Sequence, residues 1–501
     1  MSSSFPSLPQ ELLIEIMTHL DSRSILQMAL ACHTFYGVFQ STAIRYVYEL
    51  GMNSMRDAGS GKSIDELLVL LRGRQRAWAA LEWKKCTMVK IPPGYRYKQS
   101  AGILAAQAEN DILVIYLPSS TQPSCTIRNP IGTHWIQDFA IDANQDLIIL
   151  AEYTGLRDER HIGLHCRTIS TNEVHPNASQ GGILEFEIHD HKHRERRLFS
   201  MKVSLADNVV ALCGSWREGL NHLLLWNWTT GLLLFNSFED VLPRRSMNLN
   251  LEFDFLRQDA FLLASPSLSG QILIYRFSPT TPGIPVHVAS FGLPSTAPLA
   301  GVSYIRVKSG QFQPRPTPGM LFMHLPESRM HTFFINYHRE AYLLFVWGST
   351  FLRYVDETGI SEAEDVPWET WGERESRFME VNTVGANYLN IHRSDAVNAH
   401  GSRVVHGFFN RRSIEVLDFS STRPCLASPL CMRYGSDNPT IVPRTNKNSK
   451  RIFSQDVVTR LPYRSVLRVM VGESHTYMID EERIISLDVG LLLHFFLPPA
   501  Y

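Results

Sequence analysis

His189, His191 and His193 alternate through the segment HDHKHRERR. In a strand all three would point to one side, a spacing that a metal ion could use. Lys192, Arg194, Arg196 and Arg197 stand among them, and that positive field opposes a cation. The segment therefore reads as a solvated loop or strand edge, with recognition of an acidic or phosphorylated segment as the second reading. Gly59-Ser60-Gly61-Lys62-Ser63 has the closing residues of a phosphate-binding loop, but Arg56 occupies the first glycine position and no strand pattern precedes it. Ser63 and Glu66 instead have the spacing of a capping box, opening a helix over 64–71. Glu481-Glu482 sits at a turn, and neither a GxSxG elbow nor an HExxH motif is present. Trp368 and Trp371 could line a peptide groove; two indoles three apart are more simply packed between layers. These residues give no catalytic set, metal site or cofactor site, so the expectation is a non-enzymatic chain without cofactors.

Composition narrows the partners. The 501 residues are 44% hydrophobic and 19% charged, with a formal net charge of −1. That balance gives no electrostatic reason for nucleic acid or an anionic membrane, and points to protein partners. Neither a basic leader nor a run long enough to span a bilayer is seen. The seven cysteines are scattered with no CxxC pair, which fits reduced thiols. The expected location is cytoplasmic and/or nuclear, and the sequons at Asn177 and Asn227 are then chance matches.

The elements that must position any site begin with residues 8–39. Pro9 suits a first helical turn, with Glu11 just behind it. Leu12, Leu13, Ile14, Ile16, Met17 and Leu20 then cover an apolar arc of roughly 200°, too wide for one small core. Asp21 is placed to cap a second helix carrying Ile25, Leu26, Ala29 and Cys32, and a third begins near Thr34 with Phe35, Val38 and Phe39. Three such helices bury too little to be robust alone. One face should make the local core and another should meet a second protein.

Leu8-Pro9-x-Glu11, Leu20-Asp21, Ile25-Leu26, Ala29, Cys32 and Phe35-Tyr36 together closely resemble the F-box, over roughly the first 45 residues; Phe35-Tyr36 stands where that family commonly has Trp. The resemblance implies docking on the Skp adaptor of an SCF-type cullin-RING ubiquitin ligase. Leu8, Pro9, Leu12, Ile16, Leu20, Ile25, Leu26, Cys32 and Phe35 would serve the adaptor or the supporting core, and the remainder of the chain would hold an unknown protein substrate. The other readings are an adaptor-binding scaffold without ubiquitin transfer and, further off, a propeller enzyme or glycan-binding protein.

Beyond a helical extension at 43–50, a polar linker at 53–61 and helices over 64–71 and 74–84, the period changes near Met88 to short apolar runs separated by turn residues. The clearest unit is Asn208-Val-Val-Ala-Leu-Cys-Gly, then His222-Leu-Leu-Leu-Trp-Asn-Trp, the turn Thr229-Thr230-Gly231, and Leu232-Leu-Leu-Phe. Looser echoes fall at 146–169, 261–277 and 404–419. Leu-Leu-Leu-Trp226-Asn227 resembles the strand end of a WD-repeat blade, with Asn227 in place of Asp. The expected fold is mixed and multidomain: an all-α three-helix F-box at 1–50, a helical linker at 51–87, and a large all-β domain at 88–501 forming an irregular propeller of about seven blades. Loops are expected at 278–300, 311–319 and 356–365, and the apolar tail at 491–497 should pack on the domain because propeller closure often pairs chain ends. The helices, the β region and Pro367-Trp368-Glu369-Thr370-Trp371-Gly372 together resemble large F-box families of mushroom-type fungi.

Overall fold

The computed structural model describes residues 8–497 other than 82–84, 90–95, 109–110, 118–124, 129–135, 157–158, 189–197, 217–220, 244–250, 267–268, 299, 338–339, 358–362, 382–396, 409–412, 421–430, 447–449, 470–473 and 489–492. The histidine segment at 189–193 lies outside the described residues.

Five helices come first: α1 (Gln10–Thr18), α2 (Ser22–Ala31), α3 (His33–Phe39), α4 (Thr42–Met52) and α5 (Ile64–Ala80). Asp21 caps α2 by accepting the Ser24 N–H at 2.9 Å, and Ser63 caps α5 through the Glu66 N–H at 3.3 Å, satisfying orphan donors of the first turn. Two expectations are corrected here. The helices expected at 64–71 and 74–84 are one, because Gly73 in a helix interior costs only about 1 kcal/mol and nothing else breaks the run; it stops at Leu81, which takes a left-handed φ of 47°. The linker at 53–61 holds a strand, Met55–Asp57, paired antiparallel with Phe322–His324.

The β region is a propeller. Six blades are each formed within one stretch of chain, 96–127, 136–187, 198–236, 252–292, 302–380 and 397–469; counted with the closing sheet that follows, the ring has seven sheets among the described residues, in line with the expected count of about seven. A further four-stranded sheet completes the ring and is shared by both ends of the chain: Lys85–Val89 pairs with Leu493–Leu497, followed by Ile484–Asp488 and Ser474–Ile479. The tail expected to pack on the domain is thus a strand of it. Apolar side chains fill the gaps between neighbouring sheets. Ile149 and Leu164 meet Val203 and Leu212 across one gap, Phe253 and Phe261 meet Leu223 and Leu225 across the next, and Leu104 and Ile115 meet Ile485 and Leu487 where the ring closes.

The clearest sequence unit is reproduced as Val209–Trp216, Asn221–Asn227 and Leu232–Asn236 in antiparallel succession. Asn227 Oδ1 accepts the Thr229 and Thr230 N–H groups at 3.1 and 3.2 Å, the turn-holding work an Asp would also do. Its Nδ2 donates to the Pro279 carbonyl at 2.9 Å, which a carboxylate could not. This amide is buried. The segment 278–300 is not all loop: Val286–Gly292 is a strand of the fourth blade, and Glu364–Val366 adds to it in parallel.

Trp368 and Trp371, on the helix Trp368–Glu375, are core rather than groove. Trp371 Nε1 donates to the Gly292 carbonyl at 3.1 Å, and its ring meets Phe291 edge-on at 5.3 Å. Trp371→Ala should therefore cost about 3–5 kcal/mol, read from denaturant unfolding of the β domain; a loss under about 1 kcal/mol would contradict this packing.

Candidate partner-binding surface and its anchorage

The first four helices share one small core. Leu13 and Met17 of α1, Ile25 of α2, Phe35 and Val38 of α3, and Ile44 and Tyr48 of α4 are buried together, with Leu8, Leu20 and Cys32 partly buried against them. Ile25 and Phe35, expected above to serve either the adaptor or the supporting core, belong to the supporting core. A different set is left uncovered. Leu12 is 46% exposed, Leu26 39%, Leu30 75% and Tyr36 52%; Pro9 is exposed and Ile16 half-buried. Leu12 with Ile16, and Leu26 with Leu30, stand four residues apart, so each pair lies along one helix face. Leu30 and Tyr36 were missed as candidate contacts, although Leu30 follows Leu26 at helical spacing and its side chain finds no place in the buried set.

The opposite side of this unit is fixed to the propeller. Tyr46 and Leu50 of α4 pack with Leu67, Leu68 and Leu71 of α5 and with Met55 and Phe322 of the short linking sheet, and the Tyr46 hydroxyl donates to Asp57 Oδ2 at 2.7 Å. At its other end α5 enters the ring. Trp78 and Leu81 are buried among Val405, Ile414 and Val416 of the sixth blade and Tyr477, Ile479 and Ile484 of the closing sheet. The Arg403 guanidinium lies 4.5 Å from the centre of the Trp78 ring, and Arg468 donates to the Leu81 carbonyl.

Between these apolar contacts lies a buried polar cluster centred on Glu481. Arg74 of α5 pairs with its carboxylate and donates to its carbonyl at 2.7 Å. The His324 backbone N–H donates to the carboxylate at 3.2 Å, and the imidazoles of His400 and His324 lie 3.2 and 3.5 Å from it. Burial pushes the His324 imidazole down to about 3, the Glu481 charge offsetting only part of this. For Glu481 burial works against ionisation, and the neighbouring His324, Arg74 and His400 overcome it, holding the carboxyl well below its usual range. Gly401 makes room: its φ is +55°, and a Cβ there would fall 2.3 Å from the His324 ring. Deeper in, Asp418 pairs with Arg464 at 2.8 Å and Arg403 at 3.4 Å. Glu481 read in sequence as half of an acidic turn; its partners come from residues 74, 324 and 400, distances that local spacing cannot convey.

Residues 5–45 match the F-box-like family model. They are an F-box-like domain. None of the curated proteins matches the chain significantly. Among solved structures it is similar to the WD40 domain of SCAP from fission yeast (9% identity, 82% of this chain and 98% of that one, TM-score 0.33). Similar figures hold for the β-propeller domain of Vanderwaltozyma polyspora Nup133 (10% identity, 83% and 98%, TM-score 0.37) and the WD40 β-propeller domain of Doa1 (9% identity, 82% and 97%, TM-score 0.37). Among the described residues no group of three or more His, Cys, Asp or Glu side chains is arranged to hold a metal ion, and no helix is long and apolar enough to cross a membrane.

The Glu481 cluster makes the joint between the F-box-like domain and the propeller sensitive to acid. An unfolded histidine takes a proton near pH 6.5, whereas His324 in the fold does so only near 3. Between those values the unfolded chain binds more protons, so stability falls as pH drops through that window. Glu481, with its lowered carboxyl, adds loss of the same sign below its ordinary range. The thermal midpoint should fall from pH 6.5 to pH 4, and less steeply in His324→Gln; equal slopes would contradict the assignment. Glu481→Ala leaves Arg74 buried without its carboxylate and should cost about 3–5 kcal/mol by chemical denaturation.

Proposed function

We propose that this chain is the substrate-recognition adaptor of an SCF-type cullin-RING ubiquitin ligase: its F-box-like domain docks on the Skp adaptor, and its propeller captures a protein substrate for ubiquitination. The observation that carries this reading is the uncovered apolar set Leu12, Ile16, Leu26, Leu30 and Tyr36 on a helical unit whose other side is locked to a large β-propeller. Apolar side chains at i, i+4 spacing on two helices, Leu12 with Ile16 and Leu26 with Leu30, are anchors of the kind that a helical partner groove buries. Leu13, Met17, Ile25, Phe35 and Val38 support them from beneath.

Chemistry in such a complex takes place on other subunits, and this chain contributes proximity. A substrate held by the propeller, itself held through α5 at a fixed distance from the docked adaptor, meets the charged ubiquitin-conjugating enzyme at raised effective concentration. The joint favours this role because α5 is bound to both units through apolar packing, a buried ion pair and a cation–π contact, so the separation does not depend on an unpaired linker.

Ile16→Ala should weaken adaptor binding by about 2 kcal/mol, roughly thirtyfold, and Leu12→Ala with it should abolish co-purification, while both variants keep their helical signal. Phe35→Ala should instead lose helical signal and binding together, since it removes core. Binding of Leu12→Ala/Ile16→Ala equal to that of the natural chain would overturn the docking surface. Recovery of the adaptor without cullin would favour a scaffold acting without ubiquitin transfer.

A further inference from the structure

The propeller encloses a central channel of about 580 Å³, lined by the first strand of each of the six blades and by Ser474–Ile479 of the closing sheet. One end of it is stopped. Residues 310–319, which follow the strand Val302–Ser309, turn across the end where those inner strands finish. Phe312 bridges in parallel to Ala206 and lies 5.5 Å from the Arg329 guanidinium. Gln313 Nε2 donates to Ser100 Oγ at 3.2 Å. Arg315 pairs with Asp207 at 3.1 Å, and its carbonyl accepts from Asn144 Nδ2 at 3.2 Å. The Pro314 carbonyl accepts from Arg56, in the strand that follows α4. The stopper is thus tied to the first three blades and to the F-box side of the molecule.

The channel walls carry positive charge from several blades. Lys98, Lys202 and Lys308 come from the inner strands of the first, third and fifth blades, with Arg96 and Arg306 two residues farther from the stopped end on two of these strands. Carboxylates are present too, but wall donors hold them. Asp138 is buried and accepts the Val203 N–H at 2.7 Å, with Lys98 at 3.4 Å and Arg96 at 3.6 Å. Asp254 is held by His331 at 2.9 Å and by the Ser309 hydroxyl. Asp480 is taken by Arg483 at 2.9 Å and by two backbone N–H groups. Glu252 pairs with Lys202 at 3.4 Å. Burial holds the Lys98 ammonium below its ordinary range, against the pull of Asp138, and Lys202 and Lys308 press it in the same direction as burial. For Lys202 burial acts the same way, but Glu252 and Asp254 overcome it and hold that ammonium above its ordinary range, so the group that an added anion would relieve is Lys98.

We propose that the channel, stopped at the end that faces the F-box-like domain, is a receptor for a compact polyanion, a small molecule carrying several phosphates. The volume lies within the range of small-ligand sites. Lysine meets phosphate as a point charge without demanding one approach angle, which suits convergence from three strands. The stopped end prevents a polypeptide from threading through, so the deep lysines favour a ligand that fits whole.

The test is titration calorimetry on the full chain, with inorganic tripolyphosphate as probe and a phosphoserine peptide beside it. Tripolyphosphate should bind at one site per chain, weaken as salt rises, and lose at least about tenfold affinity in Lys308→Gln and in Lys98→Gln. Lys98 also serves Asp138, so the two variants are read together, and unchanged thermal midpoints show that each is folded. Lack of tripolyphosphate binding, equal affinity in the folded variants, or tighter binding of the phosphoserine peptide than of tripolyphosphate would overturn the proposal. Co-purification with the Skp adaptor is expected to be the same in these variants and so is scored separately.

Discussion

The structure depends on one backbone pairing. The strand Lys85–Val89, just after α5, lies beside Leu493–Leu497 from the far end of the chain. Without it a ring of sheets has an open seam, and Leu104, Ile115, Ile485 and Leu487 would face water. Because α5 ends at Ala80, only a few residues before that closing strand, the pairing also fixes where the helical domain must sit. Ring closure and domain placement are consequences of the same contact.

The joint that results combines two kinds of interaction with different physical roles. Apolar burial of Trp78 and Leu81 provides the non-directional attraction. The cluster of Glu481, Arg74, His324 and His400 provides direction, since burying such groups costs more than they return unless every partner is in place. A helix docked one turn away would keep much of its apolar contact and lose Arg74 from Glu481. In this way the polar cluster selects one docking among several that burial alone would allow.

Charge is distributed with similar economy. The formal net charge is near zero, yet positive groups collect in the channel and their local acids are turned to wall donors. A whole-chain charge sum is blind to such an arrangement, because it depends on which side of each inner strand faces the lumen and on which strands meet across it.

Much was legible along the chain because it depends on neighbours. The caps at Asp21 and Ser63, the helical spacing of Leu12 to Leu20 and the hairpins flanking Trp226 follow from local periodicity and turn chemistry, which a linear reading samples directly. The helical break expected near residue 73 and the loop expected throughout 278–300 fail where tertiary packing outweighs local propensity. What the tertiary structure alone decided is which apolar residues stay uncovered: Ile25 and Leu26 are adjacent and alike in type, yet one is core and the other surface, because helix phase relative to α3 and α4 settles it. It likewise decided that Glu481 serves a joint and that lysines 98, 202 and 308 share a lumen. Sequence encodes contacts close in the chain by pattern, whereas contacts between distant segments arise only when the ring closes and brings them to one place.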